Sequence, residues 1–238
     1  MLSILNTKLE TDFSCKLDLG LVVDTSQSIK QKNINDLKTI LENLVQQFDI
    51  SNDGTHISLE TFGDKSVIHK LFDEPDFFAK KSLTSLIDKG IDKLSRPTRL
   101  DLALEKADLE MFTEENGDRH GVRSVMVLFT DGRSHPKDTD KKKYREHFRN
   151  IKHSNSYEAQ GLDVAFAVDK TRSVEFDNFR LVKGFILQLI DALTIGPEET
   201  HTGLILFAKQ ARVISISADN RDFKQTTTAT ATRTWKKQ

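Results

Sequence analysis

Three observations predict an α/β protein with helices on both faces of a mostly parallel central sheet. Short apolar runs alternate with longer stretches of helical periodicity. Several of these runs end in an acidic residue followed by a polar loop, as strands buried on both faces do. The pattern also occurs twice: residues 17–72 align with 162–217 without a gap, at a constant offset of 145. Leu17-Asp18 falls on Leu162-Asp163, Val23-Asp24 on Val168-Asp169, Ser28 on Ser173, Leu44 on Leu189, Thr55-His56 on Thr200-His201 and Phe62 on Phe207.

Each copy opens on a strand, LDLGLVVD (17–24) or LDVAFAVD (162–169). A helix follows. In the first copy its apolar positions are Ile34, Leu37, Ile40, Leu41, Leu44, Val45 and Phe48. In the second they are Phe179, Val182, Phe185, Ile186, Leu189, Ile190 and Leu193. That spacing makes one wide apolar stripe, the face of a helix lying on a sheet. Asp53-Gly54 and Gly196-Pro197 mark turns. Two further strands follow in each copy, HISLETF and SVIHKLF in the first, TGLILFA and RVISIS in the second.

Between the copies, residues 76–94 and 100–112 carry apolar side chains at helical spacing. RSVMVLFTDG reads as a central buried strand running into a glycine turn, and 137–153 as a strongly charged helix. Acids interleave with its lysines, which marks a solvated face rather than a binding patch. Residues 218–238 lack periodicity and read as a disordered tail.

Composition narrows the function. A chain of 238 residues suffices for one large domain or two small ones. Its 35 basic and 36 acidic side chains leave a net charge of -1, which argues against a nucleic-acid partner held by bulk electrostatics. No apolar run approaches the roughly 18–20 residues of a membrane helix. The first fifteen residues make no convincing secretory signal, because Lys8, Glu10 and Asp12 interrupt a short apolar stretch. A cytoplasmic protein and an extracellular piece therefore both stay open. Cys15, the single cysteine, forms neither an internal disulfide nor a thiolate metal cluster.

The strand ends carry the chemistry. In parallel sheets, ligands bind beyond the carboxyl ends of the strands, near the switch in strand order. The loop after the first strand reads DTSQS, with Asp24, Ser26 and Ser28 spaced by two. Asp131 follows the strand VMVLFT, and Thr98 precedes a helix in PTRLDLAL. Hydroxyls and carboxylates are hard ligands, suited to Mg²⁺, Mn²⁺ or Ca²⁺. With only two formal negative charges nearby, such an ion stays electrophilic and seeks another anionic oxygen. Asp and Ser also cap helices routinely, so the DTSQS triplet alone is weak.

An enzyme is not expected. A hydrolase needs a base or nucleophile beside the ion. His56 and His201 fall at strand starts, the wrong end of the sheet, and His135 reads as a surface histidine. Neither a Gly-rich phosphate loop nor a nucleophile elbow is present.

DTSQS, Thr98 and TDG with Asp131, in this order, resemble the metal-ion-dependent adhesion site of the von Willebrand factor type A domain family. The resemblance covers 17–153 as a nearly complete domain with its metal site, and 162–217 as a partial second repeat. It implies a Rossmann-like three-layer α/β/α fold. It implies that Ser26, Ser28 and Thr98 contact the ion directly or nearly so, while Asp24 and Asp131 hold it largely through water. It also implies a secreted adhesion or matrix module whose ion recruits an acidic side chain from a protein such as collagen. The alternative within the family is an intracellular scaffold subunit. The second copy departs from the motif: its loop reads DKTRS, with Asp169, Thr171 and Ser173 but also Lys170 and Arg172, and the sequence stops before counterparts of Thr98 and TDG could appear. A second metal site is not expected there.

One topological question follows. Neither copy alone closes a sheet. The expected answer is that LDVAFAVD pairs beside VMVLFT and the second copy completes the first sheet; the alternative is two domains in line with the second cut short.

Overall fold

The computed structural model describes residues 16–27, 31–91, 97–130, 146–147, 163–169, 186–187, 195, 201–207 and 211–217. The expected helices over 137–153 and 177–193 therefore fall mostly outside the described residues, as does the expected tail at 218–238.

The first copy runs β1 (Leu17–Asp24), α1 (Gln31–Gln46), β2 (His56–Phe62) and β3 (Ser66–Lys70). Then come α2 (Lys80–Gly90), α3 (Leu100–Lys106) and β4 (Arg123–Thr130). The second copy supplies β5 (Asp163–Asp169), β6 (Thr202–Phe207) and β7 (Ala211–Ser217). These strands form one sheet in the order β3-β2-β1-β4-β5-β6-β7. Its five central strands are parallel, and β3 and β7 close the two edges antiparallel. This is the mostly parallel, helix-covered α/β architecture the sequence predicts.

Each face of the sheet carries a core. On one, Leu19, Leu21, Val23, Leu59, Val127 and Phe129 meet Ile34, Leu37, Leu41 and Val45 of α1 and Leu83 and Ile87 of α2. On the other, Val22, Phe62, Met126, Leu128, Val164, Phe166 and Leu204 meet Leu100, Ala103 and Leu104 of α3, with Met111, Phe112 and Ile186. The two copies use opposite faces. Leu21, Leu41 and Leu59 lie in the first core, whereas their counterparts Phe166, Ile186 and Leu204 lie in the second. The handedness of β-α-β crossovers requires this. The first copy proceeds away from β4 in one direction and the second in the other, so a right-handed connection puts their helices on opposite faces.

Two expected helices differ in detail. Over 76–94 the chain first makes a short 3-10 turn at Pro75–Phe77, and Ala79 is extended, before α2 begins. Proline at the head of that turn fixes its φ and separates it from the helix proper. Over 100–112 the α-helix gives way to a π-helical turn at Ala107–Met111, closed by a hydrogen bond from Phe112 N to Ala107 O at 2.9 Å. The extra residue in that turn shifts the phase of the apolar stripe. Asp108 turns inward, where its Oδ2 lies 2.9 Å from His147 Nδ1, and Leu109 turns outward to 64% exposure.

Candidate metal site

The site is built at the carboxyl end of the sheet, where β1 and β4 lie side by side. Strand order reverses across this parallel pair: β1 leads to β2 on one side and β4 leads to β5 on the other. The ends of β1 and β4 are thus the switch point, the place where sheets of this kind bind ligands.

Asp24 is the last residue of β1 and is fully buried. Its Oδ1 accepts a hydrogen bond from Ser26 N at 2.9 Å, and its Oδ2 accepts one from Thr130 Oγ1 at 3.2 Å. The first bond curls the loop back over the strand end, as a short-range aspartate turn does. The second joins Asp24 to the end of β4. Ser26, also fully buried, is thereby held beside the carboxylate.

The end of β2 fixes the rest. Thr25 N donates to Phe62 O at 2.9 Å, and Arg99 N donates to the adjacent carbonyl, Gly63 O, at 2.7 Å. Two consecutive carbonyls thus tie down both the loop after β1 and the segment holding Thr98, which is 8% exposed. Arg99 grips Asp101 in the first turn of α3 with a two-pronged contact, 2.7 Å from Nε and 2.6 Å from Nη2. Such a fork fixes orientation as well as charge, and it brings no net charge to the site.

Of the residues singled out in the sequence, Asp24, Ser26 and Thr98 are thus found on tethered segments at one end of the sheet. Ser28 and Asp131 lie outside the described residues. So do Thr171 and Ser173 of the second copy's loop; Asp169 is the final residue of β5. Sequence reasoning missed Thr130, Thr25 and the Arg99–Gly63 tether. The TDG triplet already contained Thr130, and a hydroxyl preceding an acid at a strand end was the available signal.

The donor chemistry fits a hard divalent cation. Among the described residues, no group of three or more His, Cys, Asp or Glu side chains could hold a metal. A site here depends on hydroxyl oxygens beside a carboxylate, a set that favours magnesium, manganese or calcium over softer ions. His56 opens β2 at the opposite end of the sheet and His201 immediately precedes β6, while His135 lies outside the described residues.

A doubly wound α/β domain with hydroxyl and carboxylate groups at its switch point is the class defined by fold and site. The von Willebrand factor type A domain profile matches residues 18–158 and 163–234, and the chain belongs to that family. Matrilin-3 of Gallus gallus is 29% identical over 128 residues, covering 51% of this chain and 28% of the matrilin. The collagen alpha-6(VI) chain of Homo sapiens is 22% identical over 255 residues, covering 86% of this chain and 11% of the collagen. The chain therefore spans a minor part of these relatives' length. Among solved structures, the manganese-loaded TRAP protein of Plasmodium vivax superposes with a TM-score of 0.53 at 20% identity, covering 71% of this chain and 63% of that one. That likeness concerns the fold.

Proposed function

We propose that this chain is a divalent-metal-dependent adhesion module. Asp24, Ser26, Ser28, Thr98 and Asp131 would hold Mg²⁺, or Mn²⁺ or Ca²⁺ in its place, and the bound ion would take a carboxylate oxygen from a protein partner. The ion supplies positive charge and a vacant coordination position; the chain's own residues orient it. The carrying observation is a buried Asp24 carboxylate that accepts from Ser26 N and Thr130 Oγ1, with the neighbouring Thr25 and Arg99 N–H groups bonded to carbonyls at the end of β2, so that the segments carrying Ser26 and Thr98 are tethered there.

The partner class follows from the same chemistry. A site of neutral hydroxyls with few carboxylates leaves the cation under-neutralised, so an acidic side chain completes it better than a neutral one. A matrix protein such as collagen is the partner we favour, at the cell surface or in the extracellular matrix. Support comes from the similarity to a matrilin and a collagen VI chain. The reading is of a binding protein and requires no catalytic group.

The test is a solid-phase binding assay of the full chain on immobilised fibrillar collagen and on a panel of matrix proteins. Binding in millimolar magnesium should disappear with EDTA and with Asp24→Ala. Binding that survives both treatments would contradict the mechanism and favour the intracellular scaffold reading of the same family.

A further inference from the structure

The second copy repeats the first in its sheet geometry as well as its sequence. Leu19 pairs with Ile57 across β1 and β2, and the counterparts Val164 and Thr202 pair across β5 and β6. The β2–β3 ladder breaks register between Leu59 and Glu60, and the β6–β7 ladder breaks it between Leu204 and Ile205, the counterpart residues. An irregularity reproduced at the same step belongs to a transplanted unit, because bulges are specific local features. The two units lie on opposite sides of β4 and present opposite faces, so a two-fold axis running along β4 relates them.

The entrance to β4 treats both units alike. Asp18, the second residue of the first unit, is fully buried and receives Arg119: its Oδ2 accepts from Arg119 N at 2.7 Å and its Oδ1 from Arg119 Nε at 2.9 Å. Asp163, the counterpart of Asp18, receives Arg123, from Nε at 2.6 Å and from Nη2 at 2.7 Å. Arg123 Nη2 also lies 2.5 Å from His201 Nδ1, and His201 N donates to Asp163 Oδ1 at 3.1 Å. One arginine just before β4 and one at its first residue thus each grip the leading aspartate of an arm of three consecutive strands, β1-β2-β3 or β5-β6-β7.

We infer that β4 is a two-sided acceptor for such arms, with Arg119 and Arg123 as its recognition residues, and that β5, β6 and β7 belong to a second arm docked onto the β4 of their own chain. The docked arm supplies the strands beyond β4 and is separable from the first arm. Arg123 and Asp163 set its register: their bidentate contact is directional, and a shift by one residue would reverse every side chain of β5 across the sheet. A second copy of the chain carries the same arm, since residues 18–72 begin with the same aspartate. Docking within one chain is the arrangement we assign.

The test uses the full chain. Amide hydrogen exchange in rising denaturant should release β5 and β6 before β1 and β2, because cooperative units open separately. Asp163→Asn should speed exchange in β5 and β6 by about tenfold or more while changing β1 and β2 by less than about threefold. Equal loss across all these strands would show one cooperative unit and overturn the inference. A second measurement does not depend on that variant. In a Cys15→Ser background, Val127→Cys and Ala165→Cys place thiols on directly paired residues of β4 and β5. Mild oxidation should link them within one chain, running at monomer mass. Disulfide-linked dimers would show the arm seated on a second copy, and absence of a link would show it seated nowhere on β4; either overturns the assignment.

Discussion

Glu60 lies wholly buried on β2, with Oε1 accepting a hydrogen bond from Ser66 Oγ and Oε2 lacking a partner among the described residues. Burial is the main cause that raises its carboxyl to about 8; the Ser66 bond and the Lys106 charge oppose the shift, and Glu110 adds to it. Its pKa is thus higher folded than unfolded, so the unfolded chain gives up the proton first. Stability from this group is complete at pH below about 4.5, drains as pH rises toward 8, and is level above that. Glu60→Gln should therefore melt close to the wild type at pH 5 and above it at pH 8, by on the order of a few kcal/mol. A melting-temperature difference that does not grow with pH would contradict this account. Lys70, also buried, is lowered to about 8 chiefly by burial, and its Nζ donates to Leu71 O at 2.6 Å. Its effect has the opposite sign and falls in a separate window, above pH 8, where stability is regained as the unfolded lysine deprotonates.

At the scale of elements, close approach and ion pairing decide which substitutions the sheet tolerates. Gly20 in β1 faces Phe112 and Met111: an added Cβ would come 2.5 Å from Phe112 Cζ and 2.8 Å from Met111 Sδ. Gly20→Ala should lower stability by about 1–3 kcal/mol through overpacking, measurable as an earlier midpoint in urea. An unchanged midpoint would show that the ring and thioether move aside freely. Arg119 links the entrance of β4 to Asp18, to Leu17 O at 3.1 Å and to Gly54 O at 2.9 Å. Arg119→Met leaves a buried carboxylate without its cation and should cost about 3–5 kcal/mol. A loss below 1 kcal/mol in denaturant titration would mean that Asp18 is satisfied by other groups. The strands were legible in the sequence because each is a short apolar run ending at a polar loop, and the expected HISLETF matches β2 residue for residue. The end of the helix over 100–112 was not. Its π-turn carries Asp108 to His147, far along the chain, and no local periodicity encodes that contact.

For the whole molecule, the repeat was visible in the sequence, and so was the pairing of LDVAFAVD beside VMVLFT in one sheet, but the opposite facing of the two copies was not. Alignment reports correspondence, and only the handedness of the crossovers says that the second copy must be turned over. The site was legible to a similar depth. Asp24, Ser26 and Thr98 could be selected by residue type and order, whereas the bonds that tether their segments, from Thr130 Oγ1 to Asp24 and from the Thr25 and Arg99 N–H groups to Phe62 O and Gly63 O, depend on which strand ends lie side by side. The account makes the metal responsible for adhesion and the sheet responsible for aiming its ligands. Manganese titration of the full chain, followed by the loss of free-ion paramagnetic signal, reads that claim most directly. One site that saturates in the wild type, competes with magnesium and weakens at least about tenfold in Asp24→Ala, with circular dichroism unchanged, is the predicted result; a folded wild-type protein that leaves the manganese signal untouched would contradict it.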